Sequence, residues 1–174
     1  MLPKQVVNHR QLMDSGLNKK QIMALSASLK LFPTPFKGIY YIPLEEERKG
    51  TFIEKPQVTL SRAVELFLGT KAFYYSCSTA EEFLGIRWRP SGKIHIVNSK
   101  RSGRVNLAER VERNRKKGTY RAKKIAKLLS LYGNEIIFHR TKTILKSKTK
   151  QTPYGRFALK SQIKEDRKRF GCKL

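Results

Sequence analysis

Lysine and arginine side chains recur between residues 110 and 127 at a density that predicts contact with a polyanion. A cationic side chain that neutralises a phosphate releases condensed counterions, and this term dominates non-specific nucleic-acid binding. Such a surface follows the phosphate backbone and does not by itself read base sequence. The alternative is a solvated basic helix face without a ligand. The residues are Arg110, Arg113, Arg115, Lys116, Lys117, Arg121, Lys123, Lys124 and Lys127.

A second group of polar side chains stands at the start of a predicted helix. Asn18, Lys19, Lys20 and Gln21 precede and open an apolar repeat, so they are expected where a recognition helix presents side chains to base edges or phosphates in a major groove. The alternative is an ordinary solvated helix face. Two further cations complete the expected DNA-binding set, Lys30 on the polar face of the same helix and Lys37 at a hairpin tip.

The histidines offer the one pair that could perform acid–base chemistry. His95 and His139 fall on two predicted strands, and a polar sheet face is the favoured interpretation. With Glu135 they define an alternative function, a nucleic-acid-processing enzyme such as an endonuclease or a DNA glycosylase. The sequence has no glycine-rich phosphate loop and no His-Glu metal motif, so it predicts no catalytic residues.

The two cysteines carry no recognisable pattern. Cys77 and Cys172 lack a CxxC partner and have no histidine at ligand spacing. We therefore expect two reduced thiols, with no disulfide, no metal site and no cofactor.

The single tryptophan lies between two arginines. Arg87, Trp88 and Arg89 could clamp a nucleic-acid strand by stacking through the indole and guanidinium planes. A lone tryptophan more often packs in a core, and packing is the favoured prediction.

The charge of the whole chain supports the same partner. Its 174 residues include 38 Lys and Arg against 13 Asp and Glu, a formal charge of +25. Residues 1–86 contribute +3 and residues 87–174 contribute +22. Apolar residues make up 39% and form no run long enough to span a membrane. The N-terminus has no secretory apolar segment, so a cytoplasmic protein without membrane contact is expected.

The spacing of apolar residues, together with capping residues and glycines, predicts the helices and strands of the first segment. A short helix over 9–15 follows Asn8 and ends at Gly16, and an apolar stripe at residues 22, 25, 29 and 32 predicts a second helix that continues to Phe32. Residues 36–43 indicate a tight turn followed by a strand, and the acidic run at 45–47 indicates a linker. Helix, glycine turn, helix and hairpin outline a winged helix-turn-helix.

The remaining chain predicts a second, mixed module. We expect a buried helix over 60–68, a strand over 72–77 and a helix that a capping box at 79–82 begins. Residues 93–98 and 135–140 are predicted strands, and 107–131 a basic helix interrupted at Gly118. The tail predicts one further helix over 156–170.

Two segments of the sequence are similar to a known family. Residues 6–25, VVNHRQLMDSGLNKKQIMAL, followed by FKGIY at 36–40, resemble the winged-helix segment of AbiEi-type antitoxins and transcriptional regulators. The segments YSCSTAEEFLGI, KIHIVN and IIFHR, at 75–86, 93–98 and 136–140, resemble the second domain of that family. The resemblance implies autoregulatory DNA binding by the first module and a nucleotidyltransferase-like toxin as partner of the second.

The sequence thus predicts an α+β protein in three consecutive segments. These are a winged helix-turn-helix module over 1–46, a mixed α/β domain with a basic helical insertion over 55–141, and a basic, partly helical tail over 142–174. The expected function is sequence-specific DNA-binding transcriptional regulation, with double-stranded DNA and a toxin protein as partners. The recognised DNA sequence, the DNA or RNA preference and the oligomeric state are left open.

Overall fold

The computed structural model describes residues 5–172 and has an α+β fold, as expected. The first residues of the segment assessed for a secretory signal, 1–4, lie outside the described residues. The chain forms two compact units, one made of residues 1–69 with 107–132 and the other of residues 70–106 with 133–174. Each unit is therefore assembled from two separate segments of chain. This division differs from the three consecutive segments expected, because the basic helical insertion packs with the N-terminal segment.

Helices and strands are interspersed along the whole described chain. In chain order they are β1 (Val6–Asn8), α1 (His9–Asp14), α2 (Lys19–Ala27), β2 (Phe32–Pro33), β3 (Ile39–Tyr41), α3 (Glu45–Gly50), α4 (Pro56–Leu68), β4 (Phe73–Ser76), α5 (Cys77–Phe83), β5 (Lys93–Asn98), β6 (Gly103–Asn106), α6 (Leu107–Lys117), α7 (Tyr120–Ser130), β7 (Glu135–Arg140), a 3₁₀ turn (Ile144–Lys146), β8 (Thr149–Thr152), β9 (Gly155–Ala158) and α8 (Lys160–Phe170). Among the described residues, no helix combines the length and the apolar character needed to cross a bilayer.

The N-terminal part of the first unit consists of α1, α2 and a small antiparallel sheet. The strand order is β1-β3-β2, and Tyr41 in the central strand pairs with Val6 on one side and Phe32 on the other. Leu12 of α1 and Ile22 of α2 are buried together in a small core cluster. The helix pair and the sheet thus enclose a common apolar interior, which the spacing of apolar residues anticipated.

The second helix is shorter than predicted. It ends at Ala27, where the backbone N–H of Lys30 returns to the carbonyl of Leu25 and that of Leu29 to the carbonyl of Ser26. This is a Schellman ending, with Leu29 in the left-handed region at φ +54°. The prediction of a helix through Phe32 was wrong because Leu29 and Phe32 belong to the core without belonging to the helix.

The acidic run was predicted to be a linker and is a helix instead. Glu47 in α3 is only 2% exposed, and its carboxylate accepts hydrogen bonds from the Tyr41 hydroxyl, the Leu44 N–H and the Glu54 N–H, at 2.7–2.9 Å. A buried carboxylate is tolerated when donors surround it in this way. Burial, reinforced by Glu47, raises the pKa of the Tyr41 hydroxyl.

The predicted basic helix forms as two helices, α6 and α7, that break at Gly118. Gly118 takes a positive φ of 70°, and the Thr119 hydroxyl accepts from the N–H of Ala122 to begin α7. The two helices share a core cluster that includes Val111 and Leu129. We call α6, the turn at 118–119 and α7 the basic helical hairpin.

The second unit is organised around a six-stranded mixed sheet of order β6-β7-β5-β4-β9-β8. β5 and β7 run parallel and have the bounds that the sequence predicts, 93–98 and 135–140. The tail was expected to be helical from residue 156. It first forms the hairpin β8–β9, which extends the sheet, and α8 begins only at Lys160.

A buried carboxylate joins α8 to the sheet. Asp166 accepts hydrogen bonds from the hydroxyls of Tyr74 and Ser76 on β4 and from the amide of Gln162. The neighbouring Arg167 forms a 2.6 Å ion pair with Glu81 of α5. These contacts place the end of α8 beside the junction of β4 and α5.

Candidate nucleic-acid interface and a cysteine–histidine cluster

The DNA-binding residues predicted from sequence all belong to the first compact unit. They come from α2 and its flanks and from the basic helical hairpin. The set comprises Asn18, Lys19, Lys20, Gln21, Lys30, Lys37, Arg113, Lys116, Lys117, Arg121, Lys123 and Lys124. All except Lys124, which is half-buried, are exposed.

At the start of α2 the four polar residues divide into two pairs. The Asn18 side-chain oxygen accepts from the Gln21 N–H at 2.9 Å, and the Gln21 side-chain oxygen accepts from the Asn18 N–H at 2.8 Å. This reciprocal capping box satisfies two N–H groups that the helix itself leaves unpaired. Lys19 and Lys20 are exposed in the first turn, so their positive charges lie near the amino end of the helix. The capping pair therefore stabilises the start of α2, and the lysine pair is exposed to solvent.

The hairpin tip predicted to carry a cation is a tight turn before β3. Gly38 has a φ of 77° there, and its carbonyl accepts from the N–H of His9 at 2.8 Å. Lys37 is exposed next to it. Lys30 is exposed in the Schellman ending of α2, so its backbone serves the helix end while its side chain extends outward.

The basic helical hairpin carries a shallow groove between its two helices. The groove has a volume of about 390 Å³ and is lined by Arg115, Lys123, Ala126, Lys127 and Ser130. Three of these five side chains are cationic, so the groove is electropositive and open to solvent.

Other side chains of the hairpin have partners inside the protein. Arg113 pairs with Glu109 one turn away at 2.7 Å. The ammonium of Lys124 lies 4.4 Å from the centre of the Tyr120 ring, a cation–π contact at the start of α7. Both contacts are at the surface and weak enough to yield to a phosphate.

Three cations of the hairpin hold it against the N-terminal part of the unit. Arg110 donates to the carbonyl of Pro35 at 2.5 Å, Arg121 to the carbonyl of Ser26 at 3.5 Å, and Lys127 to the carbonyl of Gly50 at 3.1 Å. Burial, and then the neighbouring Arg113, lower the pKa of Arg110. Arg121 approaches the carboxyl end of α2, where a positive charge is favourable. The basic run is therefore partly structural and partly available to a ligand.

The prediction that the tryptophan packs in a core was wrong. Trp88 is 95% exposed, in the segment between α5 and β5. The Arg87 Nε donates to the carbonyl of Arg89 at 3.1 Å, across the tryptophan. The two faces of the indole are therefore exposed to solvent.

The two histidines of the sheet lie side by side in the second unit. On the parallel strands β5 and β7, Val97 is opposite His139, so His95 and His139 are diagonal neighbours on one face. His95 Nδ1 lies 3.0 Å from His139 Nε2, and the two rings are parallel within 1°. Phe170 of α8 stacks on His139 with ring centres 4.6 Å apart.

Both cysteines join this histidine pair, which the sequence analysis did not foresee. Cys77 and Cys172 form a disulfide, so the expectation of two reduced thiols and no disulfide was wrong. The Sγ of Cys172 lies 3.7 Å from His95 Nδ1 and 3.7 Å from His139 Nε2. Spacing along the chain could not reveal the group because 95 residues separate the two cysteines. The strand pairing and the path of α8 bring them together.

The environment of the cluster keeps its imidazoles uncharged. Burial, and then the neighbouring His139, lower the pKa of His95 to about 4. Burial lowers the pKa of His139 as well, although the carboxylate of Asp166 opposes this shift. Both rings are therefore neutral at pH 7 and hold a lone pair on one nitrogen.

The third residue of the alternative enzyme hypothesis does not join the cluster. Glu135 begins β7, four residues before His139, which corresponds to about 13 Å along a strand. Its carboxylate lies 3.6 Å from the guanidinium of Arg104 on the neighbouring strand β6. The geometry thus separates the carboxylate from the two imidazoles.

Comparison of the chain with family models, with curated proteins and with solved structures finds no match.

Proposed function

We propose that the protein is a DNA-binding transcriptional regulator whose first compact unit contacts duplex DNA. The observation that carries the proposal is that the basic helical hairpin and α2 are parts of the same compact unit. A surface that holds phosphates and a helix that reads bases are then fixed to one body. This unit contains 19 basic and 8 acidic side chains, a formal charge of +11.

In this proposal the hairpin supplies most of the affinity. Arg115, Lys123 and Lys127 line its groove, and Lys116 and Lys117 extend from the exposed end of α6. These side chains would neutralise phosphates and displace counterions, which makes binding strongly dependent on salt. About six phosphate contacts correspond to a slope of about −5 in a plot of log affinity against log salt concentration.

The proposed role of α2 is to read sequence. α2 follows α1 and precedes β2, the turn at Lys37 and β3, while the third strand of the sheet, β1, precedes α1. The succession of two helices and a β-hairpin supports a winged helix-turn-helix. Lys19 and Lys20 are exposed in its first turn, the part of a recognition helix that reaches base edges.

A charge-matched pair of variants tests the proposal. In one, Lys116, Lys117, Lys123 and Lys124 of the hairpin become Ala. In the other, four lysines of the second unit, Lys142, Lys146, Lys148 and Lys150, become Ala. Binding to labelled duplex DNA is measured by fluorescence anisotropy across a range of salt concentrations, for both variants and the unaltered protein.

The hairpin variant is expected to lose affinity and to flatten the salt slope by nearly one unit for each lysine that contacts a phosphate. The control variant removes the same charge and should change the slope by less than half as much. Equal losses in the two variants would show that net charge, and not the hairpin, drives binding. A nearly flat salt titration of the unaltered protein would overturn the proposal altogether.

The resemblance to AbiEi-type regulators adds a toxin as a second partner class to this proposal. Co-expression with a nucleotidyltransferase-like toxin encoded beside this chain, followed by co-purification, tests that part separately. Failure to co-purify would remove the antitoxin role and leave DNA binding to be judged by the salt titration.

A further inference from the structure

Four of the five cysteine and histidine residues in the chain meet at one place. The sequence contains two cysteines and three histidines. Cys77, His95, His139 and Cys172 have their ligating atoms within 4.8 Å of one another. Cys77 is 0% exposed and His95 5% exposed, while His139 and Cys172 are half-buried, so the group lies at the edge of the interior rather than on the open surface.

We propose that these four side chains bind one Zn²⁺ ion in the reduced protein, through two thiolate sulfurs and two imidazole nitrogens. A set of two sulfur and two nitrogen ligands in a tetrahedron is characteristic of zinc. The site belongs to the second unit and does not depend on the proposed DNA surface of the first.

The three distances among the ligating atoms of His95, His139 and Cys172 agree with a tetrahedral zinc site. Zinc binds imidazole nitrogen at about 2.0–2.1 Å and thiolate sulfur at about 2.3 Å, so two nitrogens should be roughly 3.3 Å apart and a nitrogen and a sulfur roughly 3.6 Å apart. The two histidine nitrogens are 3.0 Å apart, and the sulfur of Cys172 lies 3.7 Å from each. All three spacings are within a few tenths of an ångström of the ideal values.

The backbone at Cys77 holds its side chain in an unusual position. Cys77 follows Ser76, which pairs with His95 across β4 and β5, and it begins α5. Its φ of 51° lies in the left-handed region, which a residue with a side chain rarely adopts. Cys172 approaches the cluster from the end of α8, one residue after the left-handed Gly171 that ends this helix.

Metal binding requires that the disulfide is opened first. A dithiol supplies two electrons and two protons and becomes a disulfide, whereas a phosphine supplies two electrons and becomes the phosphine oxide as water provides the oxygen and the two protons. In either case the S–S bond breaks and two thiols form. Each thiol then loses its proton as its sulfur binds the metal, so one Zn²⁺ ion bound releases two protons. The two sulfurs separate to roughly 3.8 Å in a tetrahedral site.

Four protein ligands leave zinc without an open coordination position, which is the arrangement of structural rather than catalytic sites. The ion would tie the start of α5, strands β5 and β7 and the segment after α8 to one point. It would also occupy the imidazole nitrogens that the alternative enzyme hypothesis requires for acid–base chemistry.

The test measures metal content and a spectroscopic signature in the full chain. Protein reduced with a phosphine under nitrogen is dialysed against Zn²⁺ and its bound zinc is determined by mass spectrometry. The same protein is titrated with Co²⁺, whose visible absorption is intense in tetrahedral sites and includes thiolate-to-metal charge transfer. We expect one ion per chain, none in oxidised protein, and a melting temperature about 5–10 °C higher with zinc than with a chelator.

Three variants complete the experiment. Cys172→Ser and His139→Ala should each lose stoichiometric zinc, while His9→Gln, which removes the one histidine outside the cluster, should keep it. Reduced unaltered protein that binds neither Zn²⁺ nor Co²⁺ would overturn the proposal, as would stoichiometric zinc in both ligand variants. Should the ligand variants precipitate, the cobalt titration of the unaltered protein decides the question by its stoichiometry and charge-transfer band.

Discussion

Arg110 in α6 donates a hydrogen bond of 2.5 Å from its guanidinium to the main-chain carbonyl of Pro35. The two residues are 75 positions apart in the sequence, yet the contact fixes the basic helical hairpin to the segment that leads into the turn at Lys37. A cation from the most basic stretch of the chain thus acts on the protein itself. The number of cations in that stretch therefore overstates the number available to DNA.

Replacing Arg110 by Ala should destabilise the first unit by about 1.5–3 kcal/mol, because a partly buried, charge-assisted hydrogen bond is lost. Urea unfolding monitored by circular dichroism measures this difference. Arg115→Ala provides the control, since Arg115 is exposed in the same helix. Its free energy of unfolding should change by less than about 0.5 kcal/mol. If both variants are equally stable, the Arg110 contact does not hold the hairpin.

Because Asn18 caps the start of α2, its substitution should change the stability of the protein more than its affinity for DNA. Asn18→Ala should cost about 1 kcal/mol in the free energy of unfolding, whereas Asn18→Ser should retain most of it because serine also caps well. Thermal melts of the two variants make the comparison. If Asn18→Ser binds DNA as weakly as Asn18→Ala while remaining as stable as the unaltered protein, Asn18 contacts a base directly.

Substituting the exposed lysines of α2 should change DNA affinity in a different pattern from substituting the lysines of the basic helical hairpin. Replacing Lys19 and Lys20 by Ala should cost about 1–3 kcal/mol per lost base contact on the preferred sequence and little on random DNA. The hairpin variant should weaken binding to both kinds of DNA. Competition assays with specific and random duplexes at two salt concentrations distinguish the two patterns. The reverse result would place sequence reading in the hairpin.

Trp88 provides a test of stacking without the complication of unfolding. Trp88→Ala should leave the melting temperature unchanged because the indole is almost fully exposed. If its ring stacks on an unpaired base, the variant should lose about 1–3 kcal/mol of affinity for single-stranded DNA and less for duplex DNA. Trp88→Phe, which keeps an aromatic face, should retain most of the affinity. Equal binding by all three proteins would exclude a stacking role.

Local patterns in the sequence predicted the elements that depend on local physics. The apolar alternation at 93–98 and the apolar run within 135–140 predicted β5 and β7 to the residue, and Gly118 marked the break between α6 and α7. Leu29 shows where such patterns mislead. Its apolar side chain fits the 3.6-residue apolar repeat, but its left-handed backbone ends the helix. The repeat indicates which side chains are buried and does not indicate the backbone conformation.

Features that depend on distant pairing were not predictable in the same way. Cys77 and Cys172 meet only because β4, β5 and β7 share a sheet and α8 returns to it. The helix α3 was not predicted from the acidic run, because two of the hydrogen-bond donors to Glu47, the Tyr41 hydroxyl and the Glu54 N–H, belong to residues outside that helix. The cations proposed to contact DNA were named from charge alone and remain a prediction, whereas the assembly of their two separate segments into one unit was not anticipated.

The two-segment construction of the first unit affects how the chain folds during synthesis. Phe32 is buried in the finished protein, in the strand β2 against which α7 packs. Residues 1–69 leave the ribosome before α7 exists, and the unit stays incomplete until residue 132 has been added. At roughly 5–20 residues per second, the nascent chain waits about 3–13 s with that apolar surface uncovered. During that interval the newly made N-terminal segment exposes apolar side chains that can associate with other chains.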